Sequence, residues 1–442
     1  MATFHYFAYG SNLWQPQIRS RCPSARVVGR ATLDGWTVVC DKPSLDGSAK
    51  LNIRPDPSAA AHGVIYEIDE DDRPALDSSE PRYTPIFVEM EGRPTLTYTY
   101  DGEPHSAPPY DWYMATARQG STSHGLADDW MAIETSPDSL APGIRPASHD
   151  DLTVIQGILS EGLSALTHRY YIHPGDFAWW VYHGDPRYPD QPSTWIQNET
   201  GFVTIDSIGP HENEITVFTR PGVDRMQLVR WAQRRLGQRG EVGWVSDHDL
   251  ELTNDLQADG YQAEHVNRSY EWDLRVDLPE PELPPGWRLR PVAGENEANS
   301  RRAASHAAFE SNMPSAMHLQ RYIDFMRSPV YAPQRDLVAV APSGQIASFM
   351  VWWADDSGVA QIEPFGTHPD YQRRGIGRAL IYHGLAEMKA AGMRKCRVTT
   401  DEPRAATAFY EGVGFADTGR IRWWRRGNMM KDRREGHPTV DL

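Results

Sequence analysis

The chain has 442 residues, 40% apolar, 24% charged and 10% aromatic, too long for one core and composed like an ordinary folded protein rather than a disordered or fibrous one. A formal net charge of -16 disfavours binding to nucleic acid or to an anionic membrane surface and points to small-molecule partners. Its three cysteines, Cys22, Cys40 and Cys396, form no CxxC pair, so neither a disulfide framework nor a zinc site is expected and no metal is assigned.

The start, Met1-Ala-Thr-Phe-His5, lacks the charged residues and apolar run of a signal peptide. The apolar stretch Phe349 to Ala354 is far short of the roughly 20 residues that span a bilayer, so a cytoplasmic location with no membrane role is expected. Two proline-rich stretches, Ser136 to Pro146 and Asp277 to Gly286, read as linkers, because proline breaks helices and removes a sheet donor. They divide the chain into units at 1–140, 147–277 and 286–428.

In the first unit, His5-Tyr-Phe-Ala-Tyr9 reads as a strand running into Gly10-Ser11-Asn12-Leu13, where glycine permits a tight turn and successive N–H groups make an anion nest. Gly63 to Ile68 is a second strand, Glu70 to Ser79 a helix, and Tyr83 to Met90 a third strand. With Phe7-Ala-Tyr-Gly-Ser-Asn-Leu13, Arg21-Cys-Pro23, Gly63-Val-x-Tyr66, Leu76-Asp-x-x-Glu80, and Pro109-Tyr-Asp-Trp-Tyr113 through Gly125-Leu126, residues 3 to 135 resemble the γ-glutamylcyclotransferase (AIG2-like) family. The resemblance implies a small β-barrel/α domain in which a γ-glutamyl α-amine attacks its own γ-carbonyl, releasing 5-oxoproline. It implies Glu80 as acid/base, the Gly10, Ser11 and Asn12 amides of the turn ending at Leu13 on the substrate carboxylate, and Tyr9 and Tyr113 as pocket walls. One departure from the family pattern is Pro81, where glycine is usual; it biases Glu80 toward extended backbone.

In the middle unit, Gly201 to Ile205 and Glu214 to Phe218 read as strands and Met226 to Leu236 as a helix. The string Leu256-Gln-Ala-Asp-Gly260-Tyr261 answers Tyr410-Glu-Gly-Val-Gly414-Phe415 further on, which suggests two copies of one plan. The intervening Thr219-Arg-Pro-Gly-Val-Asp224 has no phosphate-loop pattern, so the first copy is expected to be structural or substrate-shaping. The aromatic run Phe177-Ala-Trp179-Trp180-Val-Tyr182-His183 reads as core before pocket wall, and His168, His173 and His183 lack the partners of a metal site.

The third unit opens with Asp336 to Ala341 and Ile346 to Trp353, a hairpin, followed by a strand from Val359 to Phe365. Next comes Thr367-His-Pro-Asp-Tyr-Gln372-Arg373-Arg374-Gly375-Ile376-Gly377-Arg378, feeding an amphipathic helix from about Ile376 to Ala391. A strand passing through a basic, glycine-bearing loop into a helix leaves unpaired N–H groups where the helix dipole favours anions. The stretch Gln372 to Gly377 resembles the acyl-coenzyme A signature of GNAT acetyltransferases, and Ala405-Ala-Thr-Ala-Phe409-Tyr410-Glu-Gly-Val-Gly414-Phe415 is similar to that family's closing motif. The resemblance implies mixed-sheet α/β units that take acetyl- or another acyl-coenzyme A as cosubstrate. Tyr410 would protonate the leaving thiolate, Glu363 would act as base, and Thr367 with Gln372 to Arg378 would hold the cosubstrate.

The sequence therefore reads as a multidomain α/β (α+β) chain that acylates a small-molecule amine and also cyclises γ-glutamyl amines, possible partners being the amine and the γ-glutamyl substrate. Two alternatives stand beside it: an acetyltransferase with an inert glutamyl-binding module, and an acyl-coenzyme A sensor without chemistry.

Overall fold

The computed structural model describes residues 2–126, 129–165, 169–183, 193–209, 212–236, 240–310, 315–328, 330–401 and 405–426. Its contacts group into two compact units, one made of 1–152, 187–218 and 223–242, the other of 153–186, 219–222 and 243–442. The stretch 147–277 contributes to both. Among the described residues no helix is long and apolar enough to cross a membrane.

In the first unit, Thr3–Ala8 lies between two partners. It pairs antiparallel with Ala49–Asp69, from Thr3 opposite Asp69 to Ala8 opposite Val64, and parallel with Arg93–Thr99, which in turn pairs with Thr84–Met90. The long hairpin of Arg26–Pro43 with Ala49–Asp69 has no counterpart in the sequence reading. Register shifts at Val27/Gly29, Asp34/Trp36 and Cys40/Lys42 break the period-two pattern by which a strand is recognised. Pro55 sits in the part of Ala49–Asp69 that lies beyond its pairing with Thr3–Ala8, where one edge needs no donor.

The expected helix at Glu70 to Ser79 is a 3-10 turn, Glu70–Asp72, followed by the helix Arg73–Ser79. The stretch read as a linker from Ser136 to Pro146 ends differently from expectation: Ile144–Pro146 is a strand paired antiparallel with Trp195–Gln197. Of its prolines, Pro137 and Pro142 precede that strand and Pro146 ends it. The indoles pack in the order Trp14, Trp195, Trp231 and Trp112, with neighbouring ring centroids 5.0 to 5.6 Å apart, and the helix Met226–Arg235 supplies Trp231.

The second unit is built on a mixed sheet whose neighbours run Arg288–Pro291, Asp336–Val340, Ile346–Ala354, Val359–Thr367, Lys395–Asp401, Tyr261–Asp273 and Ala416–Arg426. The helix Ile376–Ala390 covers one face with Leu380, Leu385 and Met388, all fully buried. Its close approach depends on Gly384, where a Cβ would stand 1.9 Å from Met350 Cε. A second core forms around Trp179, Phe325, Trp353 and Tyr322, so Phe177 and Trp179 of the aromatic run are buried core residues. A buried Arg301–Asp336 ion pair, joined by the Tyr322 and Tyr331 hydroxyls, lies beneath it.

The paired glycine turns are visible in the backbone. Helix Leu250–Ala258 passes through Gly260 at φ +82° into strand Tyr261–Asp273, and helix Ala405–Val413 passes through Gly414 at φ +109° into Ala416–Arg426. Both glycines take the left-handed conformation that ends a helix, and the two strands they start pair antiparallel with each other. The linker Asp277 to Gly286 is irregular backbone, in neither helix nor strand. His168 and residues 427–428 lie outside the described residues, as do the side chains of Trp180, Tyr182 and His183.

Candidate active sites

In the first unit the turn after Thr3–Ala8 is the 3-10 segment Ser11–Leu13, closed by Leu13 N–H donating to the Gly10 carbonyl at 2.9 Å. The amides of Gly10, Ser11 and Asn12 precede that bond and have no acceptor inside the turn, which leaves them available to an anion. Tyr113 stands over the turn: its hydroxyl is 3.7 Å from the point a Gly10 Cβ would occupy and accepts from the Leu51 N–H at 2.9 Å. The Tyr9 hydroxyl instead donates to the Tyr98 carbonyl at 2.7 Å, so that hydroxyl is committed to the fold. Leu13 is fully buried.

Glu80 ends the helix Arg73–Ser79, with its side chain 15% exposed. Its Oε1 accepts from Asn12 Nδ2 at 3.0 Å and from Arg21 Nη1 at 3.0 Å, so the structure brings the turn and the carboxylate together. Pro81 does not hold Glu80 extended: its φ is -114° and ψ 56°. The helix end and its side-chain bonds override the preference, since Glu80 N–H donates to the Asp77 carbonyl at 3.2 Å and its own carbonyl accepts from Tyr83 N–H at 3.2 Å. Burial pushes the Glu80 carboxyl above its usual range, with the charges of Arg21 and Lys42 pulling the other way.

Behind the turn a network runs outward that the sequence reading missed. Gln17 Nε2 donates to Ser11 Oγ at 2.8 Å and to Asn12 Oδ1 at 3.3 Å, and Gln17 Oε1 accepts from Arg235. The Arg235 guanidinium lies over the rings of Trp195 and Trp112, 4.4 and 5.0 Å from their centroids. Arg235 is far outside the motif-bearing stretch, and no local pattern marks it.

In the second unit the strands Val359–Thr367 and Lys395–Asp401 pair in parallel only from Val359 opposite Lys395 to Gln361 opposite Arg397. Beyond that point they part. The register on the other side also shifts, between Met350 opposite Phe365 and Trp352 opposite Ile362, at the Glu363-Pro364 step. The gap opens into a cavity of about 780 Å³ lined by Glu363, Thr367, Gln372, Arg373, Gly375, Ile376, Gly377, Arg378 and Tyr410. Arg374 is set apart from it, its guanidinium 5.6 Å from the Tyr371 ring centroid.

Gly375 caps the helix Ile376–Ala390 at φ +79°, a conformation glycine adopts without strain. The next amides, of Ile376, Gly377 and Arg378, are the unbonded first-turn donors of that helix. Gly377 must lack a side chain, because a Cβ there would stand 2.8 Å from Thr367 Oγ1. Thr367 Oγ1 is fixed by Ser348 Oγ at 2.9 Å, and the Thr367 carbonyl accepts from Gln372 Nε2 at 3.0 Å. Strand end, loop and helix start thus form one rigid cradle, and Arg373 and Arg378 lend it positive charge.

Among the described residues the carboxylate of Glu363 has no hydrogen-bond or ion-pair partner, while its main-chain carbonyl accepts from Trp353 Nε1 at 2.9 Å. Burial raises its carboxyl well above the usual range, and Asp176 and Asp401, which line the same cavity, raise it further. Asp176 is likewise raised by burial; it accepts from Gln361, whose Oε1 receives Arg397 Nη2 at 2.7 Å. Tyr410 is 5% exposed, its ring tilted against Tyr270 and Phe365 and edge-on to Phe409 and Phe415. Its hydroxyl has no partner among the described residues, and burial with the Glu363 charge holds its proton more tightly than in water. Among the described residues no group of three or more His, Cys, Asp or Glu side chains is placed to hold a metal ion.

Two family models match the chain: Acetyltransferase (GNAT) family over residues 305–415, and Gamma-glutamyl cyclotransferase, AIG2-like, over residues 6–115. A mycothiol acetyltransferase of Nocardiopsis dassonvillei is 34% identical over 253 residues, covering 49% of this chain and 75% of that protein. Another, from Streptomyces coelicolor, is 28% identical over 145 residues, and the chain spans 46% of its length. Among solved structures, a gamma-glutamyl cyclotransferase is 26% identical, covering 31% of this chain and 92% of that one, at a TM-score of 0.29. The chain belongs to the GNAT acetyltransferase family, and it carries an AIG2-like gamma-glutamyl cyclotransferase domain at its N-terminal end.

Proposed function

We propose that the second unit transfers an acetyl group from acetyl-coenzyme A to the amine of a small molecule, and that the first releases 5-oxoproline from a γ-glutamyl amine. The carrying observation is that one cavity gathers an unpartnered carboxylate, Glu363, an unpartnered phenol, Tyr410, and a helix start preceded by a glycine in the left-handed region, Gly375. The cradle of first-turn amides with Arg373 and Arg378 suits a pyrophosphate. Acetyl-coenzyme A, when bound, supplies the activated thioester.

Glu363, made more basic by burial and by Asp176 and Asp401, takes a proton from the acceptor ammonium, the freed nitrogen lone pair bonds to the acetyl carbon, and the proton the nitrogen then sheds as the amide forms restores the one Tyr410 gives to the sulfur. Tyr410 retains its proton through the neutral range and gives it, or a strong hydrogen bond, to the sulfur as the carbon–sulfur bond breaks. A backbone N–H near Thr367 stabilises the oxyanion. Three carboxylates around the cavity favour a cationic acceptor, and the relative from Nocardiopsis puts a mycothiol-type amine first in any acceptor panel.

In the first unit the turn amides of Gly10, Ser11 and Asn12 hold the glutamyl carboxylate. The α-nitrogen closes on the γ-carbonyl carbon, the bond from that carbon to the leaving amine breaks, and Glu80 carries the proton from one nitrogen to the other. Purified protein given acetyl-coenzyme A and a panel of amines should release free coenzyme A thiol with at least one of them, and should release 5-oxoproline from at least one γ-glutamyl amine. No thiol release with any amine would remove the first half of the proposal, and no 5-oxoproline the second.

A further inference from the structure

The first unit holds a buried cation that the cyclisation chemistry does not use. Lys42 lies on strand Arg26–Pro43, just after a register shift, and is only 4% exposed. Its ammonium sits 4.1 Å from the centroid of the Tyr83 ring. Among the described residues it has no hydrogen bond and no ion pair. Two other cations nearby are paired, Arg21 with Glu80 at 3.0 Å and Lys50 with Asp46 at 2.7 Å.

The position of Lys42 ties it to the site. The Tyr83 hydroxyl donates to the Leu51 carbonyl, the Leu51 N–H donates to Tyr113, and the Leu51 side chain and Tyr113 hydroxyl are the atoms nearest the open side of Gly10. The charge of Lys42 acts on Glu80. An ammonium on so buried a side chain, with a ring but no hydrogen-bonded anion against it, is costly; burial first, then the charges of Lys50 and Arg82, push its pKa down to about 8 against the pull of Glu80 and Asp46. Such a group is stabilised if a ligand brings the anion.

We infer that Lys42 is a carboxylate-binding subsite beside Glu80, and that the first unit takes γ-glutamyl ligands whose carboxylate pairs with this ammonium. The inference rests on the γ-glutamyl reading of the site. Two carboxylates could fill it: the α-carboxylate of the glutamyl group, or a carboxylate on the leaving amine. The first makes Lys42 a partner of the turn amides for every substrate. The second makes it a selector for γ-glutamyl amino acids over γ-glutamyl derivatives of plain amines.

The test is calorimetric binding to the full chain of two probes, γ-glutamylglycine with two carboxylates and γ-glutamylbutylamide with one, using wild type, Lys42→Met and Lys42→Arg. Thermal unfolding of each variant checks that the fold survives. Loss of a charged hydrogen bond should weaken affinity about tenfold or more in Lys42→Met, with Lys42→Arg restoring much of it. Weakening of both probes assigns the α-carboxylate, and weakening of γ-glutamylglycine alone assigns the leaving amine. Equal affinity of wild type and Lys42→Met for both probes, or no binding of either to wild type, overturns the subsite. The underlying reading is scored separately, by 5-oxoproline release from wild type and its loss in Glu80→Gln.

Discussion

Replacement of Asp176 tests the electrostatic reading of the acetyltransferase cavity. Glu363 acts as base only when deprotonated, and its carboxyl is raised by burial and by the charges of Asp176 and Asp401. The sign follows: activity is full above the raised pKa and is lost as pH falls through it, so kcat/KM has an acid limb above the ordinary carboxylate range. In Asp176→Asn one like charge disappears while the new side chain keeps an oxygen for Gln361 Nε2. Loss of a like charge across a shared cavity is worth about 1–1.5 kcal/mol at an effective dielectric near 20, roughly one pH unit, so the limb should move about one unit toward acid. Glu363→Gln should remove the limb and lower the rate about a hundredfold or more. The assay is initial-rate release of coenzyme A thiol across the acid and neutral range. An acid limb that stays in place in Asp176→Asn, with Glu363→Gln retaining nearly full rate, would refute both the charge coupling and the base assignment.

Other perturbations separate the parts. Tyr410→Phe should lower acetyl transfer about a hundredfold at unchanged acetyl-coenzyme A affinity, and should barely change thermal unfolding because its hydroxyl has no partner among the described residues. Gly375→Ala, forced to φ +79°, should cost about 1–2 kcal/mol and weaken acetyl-coenzyme A binding by roughly tenfold in a direct titration. Arg235→Ala should release Gln17 and loosen Ser11 and Asn12, slowing 5-oxoproline formation while acetyl transfer is retained, read by assaying both products. Asp336→Ala strands the buried Arg301 and should destabilise the fold by about 3–5 kcal/mol in denaturant unfolding.

What was legible in the sequence was local. Gly375, Gly377 and the run into Ile376–Ala390 announce a helix start that faces an anion, because backbone freedom and first-turn amides are properties of neighbouring residues. Tyr9 to Leu13 is readable for the same reason. The rest depends on distance along the chain. Asp176 meets Gln361 across 185 residues and Arg235 meets Gln17 across 218, and no window of sequence carries those contacts. The long hairpin Arg26–Pro43 with Ala49–Asp69 was hidden by its three register shifts, which scramble the alternation of buried and exposed side chains. Lys42, beside one of those shifts, looks in sequence like any surface lysine next to a proline. The geometry of Glu80 was misjudged because the rule for residues before proline is weaker than a helix end fixed by Asn12 and Arg21.

The most direct test of two chemistries in one chain is product mass spectrometry on purified full-length protein given a γ-glutamyl amine and isotopically labelled acetyl-coenzyme A, beside Glu80→Gln and Glu363→Gln. The account predicts 5-oxoproline and labelled N-acetyl amine from wild type, loss of 5-oxoproline alone from Glu80→Gln when free amine is also supplied, and loss of the labelled amide alone from Glu363→Gln. Either product persisting at the wild-type rate in the variant meant to abolish it would contradict the account.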